Sequence, residues 1–231
     1  MSAALVPVQA WGVASAGYGW LVGAASAGFA LLAWAAGGQG SDVAAVLLLV
    51  AAGLSLVAVV GSMLVRGKRL ATLRFSAEIL AALAGAGAVG VLGWESLDPG
   101  WMGVLRALSG AAFLGVVTDA MALGHWYLID PKLPKFAIKR LDILAGVTLV
   151  ADAILVLVPP VSIVSAFGGE NSTLAIAWIA SVALSAVLIV LVRRALNEPG
   201  YASVMSATGL LYVTTMVAFA AVVLARVAIG A

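Results

Sequence analysis

Few side chains in this sequence sit where they can handle a proton, a metal or a polar ligand. They are His125, the one histidine, and the acids Glu78, Asp119, Asp142 and Asp152, all within or at the edges of long apolar runs. An ionisable group in hydrocarbon is costly unless paired or hydrated, so each is a functional candidate by default.

Asp119 and Asp152 are the deepest. Counted from the ends of their runs near Leu128 and Leu141, both lie about ten residues, roughly 15 Å, from the same membrane edge on consecutive antiparallel helices. They are therefore expected to approach within side-chain reach. Two adjacent carboxylates resist ionising together, so one would hold a proton, as a proton- or cation-handling site requires. The same acids, protonated and bonded to a backbone carbonyl or to Thr118 or Thr148, would serve structure alone.

A second cluster is expected at that edge. Glu78 begins one run, His125 ends another and Asp142 begins the next. Such a set can bind a metal, or hold a quinone headgroup with His125 as donor and Trp126 or Tyr127 beside the ring. GHWYLIDPKLP also reads as a plain helix exit, with aromatic residues in the interfacial belt before a proline-bounded basic turn. On that reading Asp142 pairs with Lys139 or Arg140. Near the C-terminus Thr208, Tyr212 and Thr215 share a helical face, which suits either a polar pathway or hydroxyls bonded to their own backbone.

The elements that must position these groups follow from composition. Hydrophobic residues make up 64% of the 231-residue chain and charged residues 10%, against about 25% charged in ordinary soluble domains. Turn-forming residues divide the chain into seven apolar stretches at about 17–37, 43–65, 76–94, 102–128, 141–165, 173–192 and 203–229. Each can cross a core ~30 Å thick as a helix, the form that satisfies its own backbone in lipid. Pro159 and Pro160 are expected to break the fifth near its end, leaving 163–167 along the interface.

Arg66, Lys68, Arg69 and Arg74, then Lys132, Lys135, Lys139 and Arg140, then Arg193 and Arg194, occupy alternate loops. The positive-inside rule makes those loops cytoplasmic, with the N-terminus inside. Arg106 and Arg226 then fall near outer helix ends, where snorkelling to the interface is expected. The N-terminus lacks the basic segment of a secretory signal, so the first span is expected to be retained.

Several chemistries are excluded. The chain has no cysteine, which removes disulfides, thiolate metal sites and cysteine nucleophiles. A retinal Schiff base needs a lysine in the last helix, and none follows Lys139; bis-histidine haem needs a second histidine. Gly85, Gly87 and Gly90 spell GxGxxG inside an apolar run with no preceding strand, so they and Gly19, Gly23 and Ala27 read as helix-packing positions.

The expected fold class is all-α, a polytopic transmembrane helical bundle of about seven spans forming one membrane domain in the inner (cytoplasmic) membrane. The first functional expectation is an accessory or quinone-contacting subunit of a larger electron-transfer complex, with no independent catalysis. The alternative is a proton-coupled small-solute transporter or channel using Asp119 and Asp152. Its expected surroundings are the lipid bilayer and other membrane subunits or copies of itself, and not nucleic acid.

Overall fold

The apolar runs of the sequence become helices almost end to end. The computed structural model describes residues 16–37, 42–64, 68–96, 100–159, 162–167 and 169–230, with Val8 and Trp11; Arg66, Pro160 and Val161 lie outside them. Seven α-helices occur among the described residues: α1 (Ala16–Gly37), α2 (Asp42–Leu64), α3 (Lys68–Ser96), α4 (Trp101–Ile129), α5 (Phe136–Leu157), α6 (Ser172–Asn197) and α7 (Tyr201–Gly230). A 3-10 turn, Ile163–Ala166, separates α5 from α6, and no strand occurs among these residues.

Six of the helices are long and apolar enough to cross a membrane, so the chain is a multi-pass helical membrane protein. The remaining one, α5, has 22 residues, about 33 Å, but carries Lys139, Arg140, Asp142 and Asp152. Large apolar side chains such as Phe29 at 59%, Leu32 at 65% and Met216 at 72% exposure cover outer faces, as lipid contact demands.

The fifth sequence span, 141–165, is corrected at both ends. Its helix begins at Phe136, because Ala137, Ile138 and Leu141 are all buried and Lys139 and Arg140 simply point away from that buried stripe. It ends at Leu157, because Val158 precedes Pro159 and takes the extended conformation, φ −77° and ψ 133°, that a following proline favours. The outer segment is a 3-10 turn with Ile163 and Ala166 buried.

The chain divides into two compact units, Met1–Leu92 and Gly93–Ala231. In the first, α1 packs closely on α2: a Cβ at Gly23 would stand 2.8 Å from Val59 Cγ2 and 3.6 Å from the Ser55 carbonyl. Ala27, one turn on, is also buried. Gly85, Gly87 and Gly90 lie in the middle of α3.

In the second unit α4 and α5 run antiparallel, with Phe113 and Val117 against Ala145 and Leu149, and Ala218 of α7 completes the layer. A second layer joins Val156, Ile163, Ala166, Trp178, Ala225 and Ala228. Gly200, at φ +90°, turns α6 into α7 in a region that side-chain-bearing residues avoid. Lys135 Nζ holds that turn by donating to the carbonyls of Glu198 and Gly200 at 3.1 and 3.0 Å and to Ser203 Oγ at 2.8 Å. Lys139 Nζ adds a bond to Asn197 Oδ1 at 3.0 Å, so two of the basic loops share one end of this unit.

Candidate functional site

Asp152, one of the two acids expected to form a pair, is held by other groups. Asp152 accepts Arg226 Nη1 on Oδ2 at 3.1 Å and Arg226 Nη2 on Oδ1 at 2.5 Å, and Ser109 Oγ donates to Oδ1 at 2.7 Å. Ser109 therefore sets the level of Asp152 on α4. Asp119 lies ten residues further along the same helix, about 15 Å towards the basic end. It is also turned about 120° from Phe113, which faces α5, and shares a buried side with Gly115 and Leu123. Height and rotation both separate the two acids, and Asp152 is held as half of an ion pair. Thr118 and Thr148 donate to carbonyls of their own helices, at Leu114 and Leu144.

Arg106 and Arg226 do not snorkel. Arg106 is 2% exposed, and its guanidinium donates to the carbonyls of Leu155 at 2.9 Å and Val158 at 2.5 Å. Those acceptors end α5, where unsatisfied carbonyls and the negative pole of the helix favour a cation. Arg226 Nη2 donates in addition to the Arg106 carbonyl. The far end of the second unit is thus a buried polar lock tying α4, α5 and α7 together.

At the basic end Asp142 is 1% exposed and pairs with Arg193, whose Nε donates to Oδ2 at 2.6 Å, and not with Lys139 or Arg140. Arg140 instead stacks over Phe136, 5.2 Å from the ring centre. The α4–α5 register, Ser109 against Asp152 and Gly124 near Ile138, puts Asp142 level with Asp119. His125 lies six residues beyond Asp119, about 9 Å further along the axis. Glu78 is buried within α3 and belongs to the first unit. Among the described residues no three His, Asp or Glu side chains are gathered as metal ligands are.

His125 has a partner that the sequence did not single out for it. Its Nδ1 stands 3.1 Å from Tyr212 Oη of α7, and the two rings meet edge to face at 6.4 Å. Both side chains are exposed on the outer face of the unit. Thr208 of the same stripe packs on Gly124 and Thr215 Oγ1 reaches Met121 Sδ at 3.6 Å, so the stripe faces α4. The hydroxyls of Thr208, Thr214 and Thr215 all donate to carbonyls one turn back. Tyr127 is turned about 200° from His125 and is buried, and Trp126 is half-buried. The aromatic group beside the imidazole is Tyr212.

The chemistry of the pair follows from its hydrogen bond. If Tyr212 donates to Nδ1, the imidazole offers Nε2–H outward and the phenol offers a lone pair. If Nδ1–H donates to the phenol, Nε2 offers the lone pair and the phenol the O–H. In either tautomer the pair presents one strong donor and one acceptor. No protein-family model, curated protein or solved structure matches the chain.

Proposed function

We propose that this chain is a non-catalytic subunit of a larger electron-transfer assembly in the inner membrane, and that it contacts a quinone at His125. The observation that carries the reading is the His125–Tyr212 pair, exposed on the outer face at the basic end of a membrane bundle. A quinone carbonyl needs a donor and the reduced quinol needs an acceptor; a pair that presents one of each in either tautomer can meet both. The transport alternative gains nothing from Asp152, whose charge is answered by Arg226.

The test is purification from native membranes in mild detergent, followed by mass analysis and solvent extraction of quinone, for the wild type and H125A. The wild type is expected to carry quinone together with other subunits. H125A is expected to keep the subunits and lose most of the quinone. A lone chain without quinone, or quinone retained in full by H125A, overturns the reading.

A further inference from the structure

We propose that a groove between α6 and α7, beginning one turn from Tyr212, receives the apolar tail of the molecule whose neutral headgroup meets His125. The proposal rests on the reading above and adds the tail as the element of selectivity.

The groove is a shallow depression of about 280 Å³, open along its outer side and lined by Ala180, Ser181 and Leu184 of α6 and Met216, Val217 and Ala220 of α7. It exists because small residues on both helices stand where a larger side chain would close the gap. Its one hydroxyl, Ser181 Oγ, donates to the Ala177 carbonyl at 2.8 Å, so the lining offers an apolar chain no competing donor.

Position gives the groove its meaning. Met216 and Ala220 follow Tyr212 by one and two helical turns, about 6 and 12 Å. Helix α7 starts beside Lys135 at the basic end and runs towards Arg226 at the far end. The groove therefore lies deeper in the bilayer than the imidazole and phenol. Polar contact at the edge and an apolar channel running inward are the order of groups in an amphiphile aligned with the membrane normal. Met216, 72% exposed, forms the ridge over which the tail passes from one site to the other.

An uncharged headgroup suits the two helices that carry the pair. The only arginine or lysine of α4 is Arg106 and the only one of α7 is Arg226, both bound into the lock at the far end. Neither helix sets a cation beside His125, as a phospholipid phosphate would require. A carbonyl-bearing ring with a long hydrocarbon tail satisfies both halves of the site.

The full chain is reconstituted in neutral phospholipid nanodiscs and titrated with a long-tailed benzoquinone and its tail-less parent, concentrations being expressed per bilayer lipid so that partitioning cancels. The long-tailed form is expected to bind about tenfold tighter or more. A180F and A220F, which fill the groove from opposite helices, are expected to abolish that advantage while the tail-less parent binds as before; this unchanged binding also reports folding. Y212F is expected to weaken both ligands. Equal affinity of the two quinones for the wild type, with the Tyr212 dependence retained, overturns the tail groove and leaves the headgroup reading standing. An advantage that survives both filling variants likewise removes the groove. Failure of both quinones to bind overturns both readings.

Discussion

Arg226 grips Asp152 with both terminal nitrogens of its guanidinium, at 3.1 and 2.5 Å, across 74 positions of sequence. Such a two-pronged contact between a planar cation and a carboxylate is the strongest geometry available to an ion pair. Its value in the membrane lies in what removal would leave behind: either charge alone would remain within a helical bundle that offers it little water.

Removing one partner should therefore cost more than removing both. Arg226→Leu and Asp152→Leu are each expected to lower stability by about 3–5 kcal/mol, and the double variant by clearly less than their sum. Thermal unfolding in detergent, arranged as a double-mutant cycle, measures the difference. Additive losses would mean that the two side chains do not depend on each other.

Gly110 provides a steric check on the same lock. A Cβ there would collide with the Arg226 guanidinium and approach Val222 Cγ1 to 3.1 Å. Gly110→Ala is expected to destabilise the protein, and to cost less in the Arg226→Leu background, where the nearer obstacle is gone and only Val222 Cγ1 remains close. At Gly85 an added Cβ would meet no atom of the described residues within 4 Å beyond its own stretch of helix, so Gly85→Ala should be neutral or stabilising by up to about 1 kcal/mol. The same melting assay separates the two glycines.

Seven helices among the described residues were legible in the sequence, six of them because lipid imposes a length and an apolar composition on a span, and α1, α2, α4 and α7 match their runs within two residues. Helix ends carrying charge were less legible. Lys68 in α3, Lys139 in α5 and Arg193 in α6 look like loop residues by composition, yet each lies within its helix. Partner choice was hidden altogether. That Asp152 meets Arg226, and that Asp119 turns elsewhere, depends on the register and rotation of α4, α5 and α7, which local spacing does not encode. Tyr212 was visible as part of a polar face, but its contact with His125 depends on how α7 lies against α4.

The arrangement of the second unit predicts a labelling pattern in this cysteine-free chain. Lys135 and Lys139 tie the loop before α5 to the turn after α6, so Lys132→Cys and Glu198→Cys must share one side of the membrane. Trp101→Cys and Glu170→Cys should share the other. With the basic loops cytoplasmic, an impermeant thiol reagent applied to intact cells should label only the second pair. Labelling that splits Lys132 from Glu198 would contradict the bundle itself, whereas inversion of the whole pattern would reverse only its orientation.

Asp142 should respond to loss of its partner in a way that identifies charge as the cause. Its carboxylate is 1% exposed; Oδ2 accepts from Arg193 Nε at 2.6 Å, while Oδ1 has no hydrogen-bond partner among the described residues. The pair is thus held by one strong contact, reinforced where Arg193 Nη2 donates to the Lys139 carbonyl at 3.3 Å. Arg193→Ala strands a buried charge and is expected to cost about 3 kcal/mol or more. Asp142→Asn keeps the size of the side chain and removes the charge, so it should recover much of that loss in the Arg193→Ala background although it destabilises the wild type. Arg193→Lys can restore the charge but not the guanidinium's second contact, and should fall between the two. Melting temperatures of the four variants in one detergent give the order directly: if Arg193→Ala with Asp142→Asn is no more stable than Arg193→Ala alone, the arginine acts through packing of its stem and the ion pair contributes nothing.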